Sequence, residues 1–287
     1  MKIDRKILAC VEATPLSDVV TDYAAWAARR LDAPVELLHV LERHVELTGS
    51  QDHSGSIGLD AQEKLMDQLT KEDEERTRLI REQGRALLSR LRERALQSGA
   101  KTVDSRLRHG DIEETLAEQQ EGSRLLVIGR DGHSAPDVNA GLGKHLEWVI
   151  RSTTRPVLVV NKNYREPKKV LFAFDGGRVT RKGVEMLASS PLLRGLPLQL
   201  VAAGELGDSK KKQLYAAVDT LVGSGIDATA SIQPGSPKEV ITHALAHGGF
   251  DLLIMGSYSH SPLRSLLFRS TTSEILRLSK VSVLLLR

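Results

Sequence analysis

Two turns in this chain carry residue types suited to holding a phosphate. After the apolar run SRLLVI, Gly129 and Gly132 stand in GRDG, and Gly143 with Lys144 opens the helical period KHLEWVI. Glycines permit positive φ and let backbone N–H groups approach phosphate oxygens. A helix N-terminus then turns its partial positive charge toward the anion, and a cation or hydroxyl on the first turn adds a contact. The second turn, MGSYSHSPLRSLLFRST from Met255, has a single glycine, Gly256, where such a turn wants several. It also places Arg269 beside Ser270 at the start of the next helix.

The elements that position these turns come as a repeat. KILACVEATPLSDVVTDYAAWAARRLDAPVELLHVLE, from Lys6, lies over KVLFAFDGGRVTRKGVEMLASSPLLRGLPLQLVAAGE, from Lys169, at an offset of 163 residues. Each copy reads as strand, helix, strand. DSRLRHGDIEETLAEQ then answers TASIQPGSPKEVITHALAH, with helices opening at Asp111 and Ser236, and RPVLVV answers VSVLLL. The strands are continuous runs of Val, Ile and Leu, which belong in a sheet covered on both faces. The expectation is two tandem doubly wound, five-stranded parallel α/β domains.

Glu12 and Asp175 end the first strand of each half. Ligands of such sheets bind at the carboxyl ends of the strands, so either acid could accept a hydrogen bond from a ribose or base. Either could instead cap the helix that follows.

Domain boundaries are expected at 1–162 and 168–287, with polar NKNYREPKK as the linker. The first domain carries an extra loop and a long helix over about 43–98. Leu65, Leu69, Leu79, Leu87, Leu88 and Leu91 recur there at near-helical spacing, which predicts a long amphipathic helix. Its expected use is to cover the core, and pairing with a second copy of the chain is the alternative.

A doubled five-stranded unit with an acid ending strand one and a glycine turn after strand four resembles a tandem universal stress protein. The resemblance spans nearly the whole chain, through VIGRDG…GLGKHLEWVIRSTTRPVLVV and IMGSYSHSPLRSLLFRSTTSEILRLSKVSVLLL. It implies an adenine nucleotide alpha hydrolase-like fold, an internal pseudo-dimer, and in one branch a Gly-x2-Gly-x9-Gly-Ser/Thr turn that wraps ATP. By that resemblance the candidate ATP or ADP site of the first half is Val11, Glu12, Val40, Gly129, Gly132, Gly143 and Lys144. Val40 matches the place where the backbone meets adenine. Glu12 replaces the usual Asp, Lys144 replaces Ser/Thr, and Gly143 fits only with one residue inserted. The second half keeps the spacing but reads as a degenerate site of Asp175, Ala203, Gly256, Ser259, Arg269 and Ser270, with Ser259 and Arg269 in glycine positions.

Composition narrows the function classes. A net charge of +3 with acids and bases interleaved, as in DEERTRLIREQ, argues against a nucleic-acid stripe, and 3% aromatics leaves little for base stacking. Runs as short as KILACV exclude a signal peptide or membrane span by sequence, so a cytoplasmic protein is expected. The single Cys10 reads as a small buried hydrophobe. His39, His44 and His53 lack metal-ligand spacing and read as unrelated surface histidines, and Arg264 as a solvated charge. No catalytic Ser/His/Asp set is apparent. The expected function is stress response through a bound small molecule or partner. A non-nucleotide ligand or protein scaffold is the alternative, and slow ATP hydrolysis is a third reading.

Overall fold

The computed structural model describes residues 6–42, 59–130, 144–257 and 271–287. The first half runs β1 (Lys6–Cys10), α1 (Leu16–Leu31), β2 (Val35–Leu41), α2 (Leu59–Gln97), β3 (Val103–His109), α3 (Ile112–Gln119), β4 (Ser123–Gly129), α4 (Lys144–Ser152) and β5 (Val157–Val160). The second half runs β6 (Val170–Ala173), α5 (Arg178–Ala188), a 3-10 turn (Pro191–Leu193), β7 (Leu198–Ala203) and α6 (Asp208–Gly223). It continues through β8 (Ala228–Gln233), α7 (Pro237–His247), β9 (Leu252–Gly256), α8 (Thr271–Leu278) and β10 (Ser282–Leu286).

Strand order is β3-β2-β1-β4-β5 in one half and β8-β7-β6-β9-β10 in the other, all parallel within a half. Alternate strand residues enter opposite cores. Ile7 and Ala9 pack toward α1 and α2, whereas Leu8 and Cys10 pack with Leu116 of α3 and Val149 of α4. The second half repeats this, with α5 and α6 on the first face and α7 and α8 on the second. Apolar runs buried on both sides therefore produce the doubly wound α/β sheet.

One feature of the sheet was not expected. β5 and β10 pair antiparallel, with Val159 opposite Val283, Leu158 opposite Leu284 and Val157 opposite Leu285, so the two halves form a single ten-stranded sheet. The paired residues are all apolar, and an uncovered apolar edge invites pairing with another chain; here each edge covers the other. Side chains reinforce the seam. Arg130, just past β4, donates to the carbonyls of Leu276 (3.4 Å) and Ser279 (2.8 Å) at the end of α8, and Asn161 Nδ2 donates to Ser279 (3.2 Å). In the other direction, Arg287 donates to the carbonyls of Val149 and Ile150 in α4. Each helix C-terminus thus meets a cation from the opposite half, the favourable sense of the helix dipole. The linker lies against α1, where Tyr23 Oη donates to the Arg165 carbonyl (3.0 Å) and the Tyr23 and Tyr164 rings meet edge-on.

The charged insertion divides in two. From Gly84 onward α2 covers the sheet: Leu88, Leu91 and Ala95 are buried, and Gly84 passes Leu107 and His39 closely. Before Gly84 the described side chains are exposed or half-exposed, including Leu79 at 57% and Ile80 at 38%. Among the described side chains of α2, core covering is therefore seen from Gly84 onward. The extra loop over 43–58 lies outside the described residues. Among the described residues, no helix is long and apolar enough to cross a membrane.

Candidate functional site

Registers place the first-half candidates at one edge. Cys10 lies beside Leu38 of β2 and Ile128 of β4, so Val11, Glu12, Val40 and Gly129 emerge together at the carboxyl ends of the strands. β1 continues into α1 on one face of the sheet, while α4, which follows β4, covers the other. That divergence opens the crevice in which doubly wound sheets bind ligands. Lys144 is the first residue of α4. Gly132 and Gly143 lie outside the described residues, as do Ser259, Arg264, Arg269 and Ser270.

The strand-one acids behave differently in the two halves. Asp175 Oδ1 accepts from Gly177 N (2.8 Å) and Thr180 Oγ1 (2.6 Å), so its carboxylate closes the turn into α5. At the equivalent turn of the first half, Ser17 takes the place of Thr180. Its hydroxyl accepts from Glu12 N (2.9 Å) and donates to the Glu12 carbonyl. The Glu12 backbone, not its carboxylate, ties this turn to Ser17. Ala203 ends β7 beside Gln233, and Gly256 ends β9 beside Leu286.

Positive φ is not what Gly129 and Gly256 supply, since neither has it. What demands a glycine at 129 is space, because a Cβ there would lie 2.4 Å from Leu16 Cδ2 and 3.0 Å from its Cγ. At Gly256 the nearest atoms, on Thr180 and Val179, would be 3.4 Å away, an ordinary contact. Gly129→Ala is therefore expected to cost about 1–2 kcal/mol by overpacking and to recover most of it in a Leu16→Ala background, whereas Gly256→Ala stays within about 0.5 kcal/mol. Denaturant midpoints of the four variants test this. An undiminished cost beside Leu16→Ala would show that the backbone, not the leucine, sets the requirement.

Other groups at this edge were not anticipated from sequence. His145, on the first turn of α4, places Nε2 3.3 Å from Glu42 Oε1 just beyond β2, and Nδ1 3.9 Å from Glu113 Oε1 on the first turn of α3. Its ring thus lies between the end of β2 and the start of α3, closest to Glu42. The only signal in the sequence was its place beside Lys144. His39 is also a correction, being buried rather than on the surface, with Nδ1 2.9 Å from the Val11 carbonyl oxygen. His44 and His53 fall outside the described residues. Among the described residues, no cluster of three His, Cys, Asp or Glu side chains could hold a metal ion. The Cys10 thiol is pushed up to about 12 by burial, with the charge of Glu12 adding, which removes it as a nucleophile near neutral pH.

Comparison with known proteins fits this architecture. The model of the universal stress protein family matches residues 5–161 and 194–287. A universal stress protein of Synechocystis sp. is 30% identical over 286 residues, spanning 99% of this chain and 100% of that protein. Among solved structures, a universal stress protein from Archaeoglobus fulgidus superposes with a TM-score of 0.69 at 17% identity, covering 98% of both chains. A putative universal stress protein from Pseudomonas aeruginosa gives 0.62 at 19% identity, covering 98% of this chain and 92% of that one. With two copies of the unit in tandem, the chain belongs to the universal stress protein family.

Proposed function

We propose that this chain is a cytoplasmic stress-response protein that acts by holding a ligand rather than by catalysis, with ATP or ADP bound in the first half. The observation that carries this reading is the convergence of Val11, Glu12, Val40 and Gly129 at the carboxyl edge, beside the start of α4 at Lys144. A bound nucleotide would set its phosphates against the N-terminus of α4, where Lys144 adds a positive charge to the first turn, and its base against the edge of β2 at Val40. The second half, with Asp175 engaged by its own turn, serves as the structural half of an internal pseudo-dimer and as a surface for partners.

Thermal-shift titration with ATP and ADP tests the proposal. A nucleotide at about a hundred times its Kd adds about 2.7 kcal/mol of stability. Gly132→Arg is expected to abolish that shift, and Arg269→Glu in the second half to leave it intact. No shift with either nucleotide would leave the crevice to a non-nucleotide ligand or a partner. Equal phosphate release by the parent and Gly132→Arg would dispose of ATP hydrolysis at this site.

A further inference from the structure

Two histidines on α7 belong neither to the crevice nor to the core. His243 and His247 stand one turn apart on the helix, at the i and i+4 positions that share a face, and both are exposed. Their rings meet with centroids 4.4 Å apart and a tilt of 33°. His247 Nδ1 lies 3.0 Å from the His243 carbonyl oxygen. A carbonyl only accepts, so Nδ1 carries the proton, and the lone pair of the neutral ring is left on Nε2. One ring nitrogen held by a backbone carbonyl and the other left open is the arrangement that metal-ligating histidines use. Glu239, one turn earlier on the same stripe, is engaged instead at the helix start, where Ser236 N and Oγ donate to its Oε2 at 3.0 and 2.9 Å.

We propose that His243 and His247 form a two-imidazole site for a divalent transition-metal ion of the zinc, nickel and copper class. Imidazole nitrogens select these ions over calcium and magnesium, which take oxygen ligands, and among them Cu(II) binds most tightly. A bond from zinc to a histidine nitrogen is about 2.0–2.1 Å long. Rings already in contact need only a change of ring angle to reach one ion, and an exposed face permits it. Two protein ligands leave the remaining positions of the ion to water or to a donor from outside the chain. Lys169, the residue before β6, donates to the Gly248 carbonyl at 2.9 Å, which places the end of α7 at the amino edge of the sheet. The crevice opens at the opposite, carboxyl edge, so this site does not depend on nucleotide binding.

Calorimetric titration of the full-length protein with Cu(II) iminodiacetate, a chelate that leaves adjacent positions open for two imidazoles, tests the assignment. One site is expected, and its affinity should fall at least about tenfold in His243→Ala and in His247→Ala alike, because a lone imidazole forfeits the chelate. The double variant supplies the background from the other histidines, which all four proteins share. Electron paramagnetic resonance of the bound Cu(II) should show two imidazole nitrogens in the parent and one in each single variant. Both side chains are exposed, so circular dichroism should be the same in all four proteins. Mg(II) in about a hundredfold excess should leave binding unchanged. A parent affinity equal to that of the double variant, or displacement of the copper chelate by Mg(II), would overturn the proposal. A loss of only about twofold on removing one histidine, the result for two independent imidazoles, would overturn it as well.

Discussion

Replacing Leu158 with aspartate is expected to unfold both halves of the protein together. Leu158 is 1% exposed and sits opposite Leu284, also 1% exposed, in the antiparallel pair that joins the halves. Both side chains belong to the core on the α1 and α5 face, while Val157, Val159, Val283 and Leu285 fill the other core. A carboxylate placed there has neither water nor a partner cation beside it, and the cost should exceed about 4 kcal/mol, a large share of a domain's stability. Leu158→Met, which conserves volume, should cost less than about 1.5 kcal/mol. Hydrogen exchange distinguishes a shared core from two neighbouring ones. Amides of β1 and β2 and amides of β6 and β7 should lose protection in the aspartate variant at the same denaturant concentration. Protection that persists in β6 and β7 would mean the second half stands alone.

That seam also marks where sequence reading stopped. The strand–helix alternation and the 163-residue offset were legible because apolar runs and turn residues are local. The offset carried through to side chains, placing Ser17 at the position of Thr180. Asp111 and Ser236 were readable as helix starts for the same reason, and both cap through their side chains, Ser236 in a full capping box with Glu239. The pairing of VLVV with SVLLL joins residues more than 120 positions apart, and no local rule encodes it. A signal existed, since a last strand made almost wholly of Val and Leu in each unit needs a covered edge. The site was legible at the strand ends, where a change of period marks Val11, Glu12 and Gly129. Spacing could not tell a glycine needed for φ from one needed for space beside Leu16. Nor could it bring His145 to Glu42 and Glu113, because that meeting depends on how three loops fold back.

Besides its buried leucines, α2 is held to α1 by an ion pair that sequence could not have found. Arg94 Nε and Nη2 donate to the two carboxylate oxygens of Asp22 at 2.8 and 2.7 Å, a bidentate pair between α2 and α1. Asp22 is only 7% exposed, and Ser98 Oγ donates to its Oδ1 at 3.3 Å. Nearby, Arg90 and Arg94 share Asp18, which is more exposed and so adds little. Removing the arginine leaves the Asp22 carboxylate buried beside a single weak donor, so Arg94→Ala is expected to cost about 3 kcal/mol. Removing both charges as Asp22→Leu with Arg94→Met should return most of that loss, since apolar groups of similar size pack there without a desolvated charge. Urea denaturation of the two single variants and the double variant measures the coupling directly. A cost below about 1 kcal/mol for Arg94→Ala would mean that water reaches Asp22 and that the leucines of α2, not the ion pair, hold the helix on the sheet. A large cost with recovery in the double variant would show instead that the arginine is needed because the aspartate is buried.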